Sequence, residues 1–286
     1  MKITTSKRFI NCLVLTTFCT VLFSSASVVE TENYLSTKNV IKTIVIDAGH
    51  GGGDGSTHGA FSKEKDVALQ VALKLGKAIE KNLTDVRVVY TRTTDVFVQL
   101  YDRVGIANRE KADLFISIHC NSMPLVSQRY VVKGKAYYRK VPNPTTRGTE
   151  TFVAGFNRLK EQDVAIRENA SILLEKNYKD NYDGFDPSDP ESYIIFSLMK
   201  NAFRDQSIKL ASLVQDEYIN TGRVNRGVKE QGLAVLQKAG MPAILTEIGF
   251  ISNPTEEKYI NSDEGQAEIV NNILQAITNY KKDVES

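Results

Sequence analysis

The sequence predicts an α/β fold: a single domain on a mostly parallel, twisted sheet, covered by helices on both faces, with its reactive residues at the carboxyl ends of the strands. Three observations carry this. Continuous apolar runs such as Ile44-Val45-Ile46 have the character of parallel strands buried on both faces. These runs are interleaved with segments whose apolar residues repeat at helical spacing. Three of the runs end in residues with chemistry, His50, His119 and Glu247, and open α/β sheets bind ligands beyond the carboxyl ends of their strands.

The elements follow in order. After the strand at Ile44–Ile46, apolar Val67, Val71, Leu75 and Ile79 recur every four residues, marking an amphipathic helix from Glu64 to about Lys81. A strand at Val86–Thr91, a helix near Val98–Glu110 and a strand at Leu114–Ile118 come next. Beyond them the pattern gives a short strand at Glu150–Val153, a helix over roughly Met199–Ile219, and strands near Ala234–Leu236 and Ala243–Thr246. Ile269, Ile273, Ile277 and Tyr280 line one face of a final helix. Neither an internal repeat nor a low-complexity linker interrupts the series.

Residues 1–27 read as a cleaved secretory signal. Lys2, Lys7 and Arg8 precede an apolar run from Phe9 to about Phe23, and Ser25-Ala26-Ser27 supplies small residues for cleavage. The run is too short to span a bilayer comfortably; an uncleaved anchor is the alternative, and Cys19 lacks a lipoprotein cleavage pattern. A short linker, 28–40, leads to a catalytic domain at 41–282. The signal takes three of the chain's 36 bases and none of its 34 acids. The remainder therefore carries one more acid than base, and nothing global suggests nucleic-acid binding. Only Cys120 survives cleavage, so no internal disulfide is available. With 42% hydrophobic residues, the chain can rely on a packed core. The expected product is a secreted, periplasmic monomer without a stable membrane span.

The strand-end residues suit metal chemistry. IVIDAGH and LFISIH each deliver a histidine, AILTEIGF delivers Glu247, and Glu64 opens a helix in KEKDV. Two histidines and a carboxylate form a known catalytic zinc set that leaves a coordination position for water, and a further glutamate supplies proton transfers. Glycines 49, 51, 52, 53 and 55 let the chain turn beside His50, but neither a phosphate loop nor dinucleotide spacing is present. The reading is a metal-dependent hydrolase.

The segments IVIDAGHGGGDGS, SKEKDVAL, TRTTD, DLFISIHCNS, RGTETFV and NRGVKEQGLAVLQKAGMPAILTEIGFISN resemble the zinc-dependent N-acetylmuramoyl-L-alanine amidases of the amidase-3 family. The resemblance covers nearly all of 40–280 apart from a middle stretch. It implies one zinc ion held by His50, Glu64 and His119, with Glu247 as the catalytic glutamate. The implied reaction cleaves the amide between the lactyl group of N-acetylmuramic acid and L-alanine in peptidoglycan, in cell-wall remodelling or daughter-cell separation. A zinc peptidase cutting another stem-peptide bond, or a non-catalytic wall-binding protein, are the competing functions.

Other residues carry duller alternatives. Glu64 could simply complement a helix N-terminus. An unpartnered Glu247 in an apolar strand is costly unless it has a function. His58 is expected to face solvent or substrate, and Cys120 to be a buried small hydrophobe, since strand neighbours point to opposite faces. Asn121 is a candidate for supporting the site or touching substrate. Arg92 and Arg103 could equally form scaffold ion pairs. Residues 128–148 hold six bases, Arg129, Lys133, Lys135, Arg139, Lys140 and Arg147, and no acid; the expectation is a solvated loop, with contact to an acidic wall polymer as the sharper reading. An insertion at about 154–197 combines a helix with a mobile-looking stretch at 177–193. In related periplasmic amidases an inhibitory helix covers the zinc here until a partner displaces it. Glu161, Glu168 or Glu175 could then fill the fourth coordination position; a substrate-groove wall is the alternative.

Overall fold

The structure, a computed structural model, describes residues 40–55, 57–155, 161–197 and 201–286. The expected signal and nearly all of the linker lie outside the described residues, as do 156–160 of the insertion and the start of the helix expected from Met199. The elements run β1 (Thr43–Ala48), α1 (Glu64–Asn82), β2 (Arg87–Tyr90), α2 (Leu100–Arg109), β3 (Leu114–Asn121), β4 (Val126–Val132), β5 (Lys135–Val141) and β6 (Thr149–Ala154). They continue α3 (Asp163–Asn169), a 3-10 turn (Ala170–Leu174), α4 (Tyr178–Asn181), α5 (Pro190–Ser197), α6 (Arg204–Asn220) and β7 (Asn225–Gln231). The chain closes with α7 (Ala234–Gln237), β8 (Ala243–Phe250), α8 (Pro254–Asn261) and α9 (Asp263–Glu285).

Six strands form one sheet in the order β2-β1-β3-β8-β6-β7. The first four are mutually parallel, and β6 pairs antiparallel with β8 and parallel with β7. Strand alternation divides the core in two. Ile44, Ile46, Ile116, Ile118 and Ile244 face α1, α6 and α9, whose Val71, Leu75, Leu210, Ile273 and Ile277 bury against them. Val45, Phe115, Phe152 and Leu245 face the other way, against Val104 of α2 and the insertion's Val164, Ile172, Tyr182, Phe185 and Tyr193. Helices therefore cover both faces, as expected.

Three expectations need correction. Ala234–Gln237 is a short helix, not a strand; an apolar run this short does not distinguish the two by periodicity. Here all four residues bury in the second core, and the Asn108 side chain ties the segment that follows through Lys238 O and Gly240 N. The edge strand is Asn225–Gln231 instead. Residues 126–141 are no loop but a β4–β5 hairpin turning at Lys133-Gly134, both with positive φ (47° and 78°), as a two-residue I′ turn requires. The stretch 177–193 is not loose: its Tyr182, Phe185 and Tyr193 are core residues.

The end of β1 is held by a buried charged cluster. Asp47 accepts from Arg103 Nη1 (2.8 Å), Thr91 Oγ1 (2.6 Å) and Ser117 Oγ (2.6 Å). Arg103 also donates to the carbonyls of Ala48 and His50, and Arg92 to those of Ala48, Gly49 and Lys65. Burial alone would raise the Asp47 pKa, but Arg103 and the two hydroxyls bring it below its usual value. Arg103→Met should lower stability in urea unfolding by about 3–5 kcal/mol, because it strands a buried carboxylate. Since folding lowers the Asp47 pKa, its contribution is complete above the unfolded value of about 3.9 and is lost as pH falls toward the folded value. Asp47→Asn should therefore flatten the acid limb of stability against pH, measured by urea midpoints between about pH 5 and pH 2.

Candidate metal centre and its cover

Four buried side chains converge where β1, β3, α1 and α3 meet. His50 follows β1 in the left-handed region (φ 57°), a backbone state that non-glycine residues adopt mainly where surroundings force it. The preceding Gly49 is required by proximity: a Cβ there would lie 2.5 Å from the His119 ring. Asp54 Oδ2 lies 2.8 Å from His50 Nδ1, the outer contact that fixes a ligating imidazole's tautomer and orientation. His50 Nε2 then points to the centre, 3.2 Å from Glu64 Oε2 and 3.0 Å from Glu168 Oε2.

Glu64 is the first residue of α1 and fully buried, which does not suit a merely helix-complementing surface acid. Its Oε2 accepts from Thr57 Oγ1 (2.7 Å), and its Oε1 accepts from Cys120 N (2.9 Å) and lies 3.1 Å from His119 Nδ1. The loop before α1 is held by Glu257 of α8, which accepts from the backbone N–H groups of Ala60, Phe61 and Ser62. His119, near the end of β3, also lies 3.0 Å from Glu168 Oε2.

One ligand atom from each of His50, Glu64, His119 and Glu168 lies within 4.8 Å of the others, and the group could hold a metal ion. The donors fit one: two imidazole nitrogens and two carboxylates, with His50 Nε2 and Glu168 Oε2 buried and lacking a hydrogen-bond partner. Burial should discharge both histidines, yet Glu64 and Glu168 hold the His50 pKa well above normal, and Glu168 and Glu64 hold that of His119 at about 9. Burial likewise opposes the two carboxylates, but His50 beside Glu64, and Arg167 with both histidines beside Glu168, bring their pKa values well down. The site thus favours bound positive charge.

Glu247 lies on β8 in register with His119 and is fully buried. Its Oε1 accepts from Arg167 Nη2 at 3.0 Å, and its Oε2 has no hydrogen-bond partner. Burial raises its pKa well above the usual carboxylate range despite Arg167. Asn121 joins the same corner: its Nδ2 donates to Glu150 (2.9 Å) and its Oδ1 accepts from Arg167 Nη1 (3.1 Å).

Of the three candidate glutamates of the insertion, only Glu168 reaches this centre. Glu161 is exposed. Glu175 is buried elsewhere, accepting from Leu100 N at the start of α2 and from the Tyr182 hydroxyl, which makes it part of the scaffold. Cys120 is a buried free thiol in the core behind the site, its pKa raised by burial. His58 is exposed beside a cavity of about 430 Å³ that Met123, Leu125 and Pro142 also line. Arg167 and Asp54 were not singled out in the sequence. Asp54 could have been noticed from its spacing of four after His50 in a tight glycine loop; Arg167 carried no signal beyond adjoining Glu168.

A family profile described as N-acetylmuramoyl-L-alanine amidase matches residues 44–279. The N-acetylmuramoyl-L-alanine amidase AmiC of Escherichia coli O6:H1 is 30% identical over 244 residues, 84% of this chain and 53% of that protein, so this chain spans about half its length. AmiA of Escherichia coli K12 is 28% identical over 245 residues, 84% of this chain and 76% of the relative. Among solved structures, an N-acetylmuramoyl-L-alanine amidase from Clostridium difficile 630 matches with a TM-score of 0.59 at 28% identity, covering 84% of this chain and 96% of that one.

The Asp54 contact generates a test. Asp54→Ala should leave the thermal unfolding of the metal-free protein nearly unchanged but weaken divalent-metal binding, measured calorimetrically, by about 10–100-fold.

Proposed function

The chain belongs to the N-acetylmuramoyl-L-alanine amidase family, and on that premise we propose a zinc-dependent enzyme whose working residues are His50, Glu64, His119 and Glu247. The observation that carries the reading is the convergence of two histidines and Glu64 with a buried Glu247 in register beside them. The bond to be cut joins the lactyl group of N-acetylmuramic acid to L-alanine of the peptidoglycan stem peptide. His50, Glu64 and His119 would hold zinc; when bound, the ion supplies Lewis acidity toward the scissile carbonyl and lowers the pKa of water to about 7. Glu247 takes the proton from the attacking water and delivers it to the departing alanine nitrogen. A carboxyl whose pKa is raised by burial suits that exchange near neutral pH. Asn121 supports the corner through Glu150. The apolar leader supports export to the periplasm, where this substrate lies.

The same geometry supports a closed resting state. Glu168 lies 3.0 Å from both histidines, where it would compete with water or a substrate oxygen for a bound ion, and the adjacent Arg167 holds Glu247. The segment 161–197 then acts as an autoinhibitory cover that a protein activator moves aside. This is favoured over a groove wall because it engages both halves of the catalytic set.

The primary test is release of soluble peptides from purified peptidoglycan. Peptides with new L-alanine amino termini should appear, vanish with a chelator, and fall by about 10²–10⁴-fold in Glu247→Ala. Fragments starting at another residue would instead identify a stem peptidase, and no release by either the native or the opened protein would support a binding role. For the cover, Arg167→Ala/Glu168→Ala should raise release by roughly tenfold or more if the open state is the minor one. Unchanged or lower activity would return the insertion to a groove wall.

A further inference from the structure

The β4–β5 hairpin contributes none of the residues of the metal centre or its cover. It is not part of the six-stranded sheet, and every residue of it is exposed except the half-buried Val141. A lone two-stranded hairpin is marginal in water without something to pack against. At about 3.3 Å per residue its seven-residue strands reach roughly 20 Å.

Its composition is layered from the tip. The turn Lys133-Gly134 is flanked by Val131 and Val132, which are 55% and 48% exposed, and by Lys135. One step back stand Tyr130, Tyr137 and Tyr138, with Tyr130 and Tyr137 stacked at 5.6 Å. Arg129 stands level with Tyr138 across the hairpin, and Arg139 and Lys140 come behind, with the Arg139 guanidinium 5.8 Å from the centre of the Tyr130 ring. The hairpin has five bases and no acid. Among the described residues, none of these five bases forms an ion pair. An anionic polymer would match the bases but leave the valine tip without a role. An apolar tip, lysines able to reach outward, and a tyrosine band with bases beside and behind it match the layers of a lipid interface. Polybasic segments are drawn to anionic leaflets.

We propose that this hairpin docks the protein on an anionic lipid bilayer, with Val131 and Val132 entering the headgroup region and the flanking bases pairing with lipid phosphates. This docking is independent of whether the metal centre works as proposed, and its test reads binding alone. The purified exported protein is sedimented with vesicles of phosphatidylcholine, and with the same vesicles containing phosphatidylglycerol. Binding is expected only to the anionic vesicles and should weaken with added salt. Lys133→Glu/Lys135→Glu should reduce it by at least about fivefold per base. Val131→Ser/Val132→Ser should also reduce it several-fold, with far-UV circular dichroism unchanged in both variants. The proposal is overturned by absence of binding to anionic vesicles, or by binding that survives either pair of substitutions. It also falls if the serine variant binds as well as the native chain while soluble poly-L-glutamate competes fully, since that pattern assigns the hairpin to an anionic polymer.

Discussion

The site depends on how the chain is held as it leaves β1. His50 sits in a left-handed conformation, which costs of order 1–3 kcal/mol and persists only when surroundings over-determine it. Here they do. Arg103 and Arg92 together bind the three successive carbonyls of Ala48, Gly49 and His50. Arg103 is in turn locked by Asp47, which also receives hydroxyls from β3 and the residue following β2. The Arg103 guanidinium is neutralised by the buried Asp47 carboxylate, while that of Arg92 is met by backbone carbonyl oxygens. A neutral residue at 103 could fill the space but could not satisfy these oxygens.

The remaining site residues arrive from elements with fixed register to β1. The parallel pairing of β1 with β3 and of β3 with β8 brings His50, His119 and Glu247 to one edge of the sheet, where strand ends naturally leave a crevice. Glu64 joins them because α1 begins there, and α1 begins there because Glu257 and Thr57 hold the loop before it. The Asn253 side chain caps α8 and reaches the carbonyls of Pro144 and Thr146. Glu256, one helical position before Glu257, receives Gly148 N and Phe250 N. A single helix start thus fixes the entry to α1, the end of β8 and the approach to β6.

This explains what was readable in the sequence. Buried strands and helices announce themselves by apolar runs and spacing, so the starts of β1, β3, β8 and α1 were placed within a residue, although β3 and β8 run three and four residues further than expected; His50, His119 and Glu247 were placed with them. The reversed direction of β6 was not readable, because Glu150–Val153 has the same apolar character whichever way it runs. The segment Ala234–Gln237 was misread because its fate depends on side chains of α2. Arg167 was invisible because its role comes from Glu247 and Asn121, which are distant in sequence. The hairpin was hidden for another reason: with both faces exposed, it has no burial pattern to reveal its strands.

The proposed cover has an energetic logic of its own. Arg167 and Glu168 are consecutive and bring opposite charges to the two halves of one buried centre, so docking α3 adds no net charge there. Beyond the charged contacts of Arg167 and Glu168, its attachment is through neutral groups: Gln162 accepts from Gly232 N, Ala165 N donates to Gln231, and Asn169 bonds Gly232 O and Ala234 N. Such bonds contribute only about 1 kcal/mol each net. Val164, Ala165 and Ile172 add apolar burial, which is recoverable if a partner offers a comparable surface. An arrangement whose charged contacts balance and whose other contacts are individually small can be reversed by the differential affinity of one binding partner. If Arg103 and Asp47, rather than the cover, hold the end of β1, that reversal opens the centre without disturbing His50.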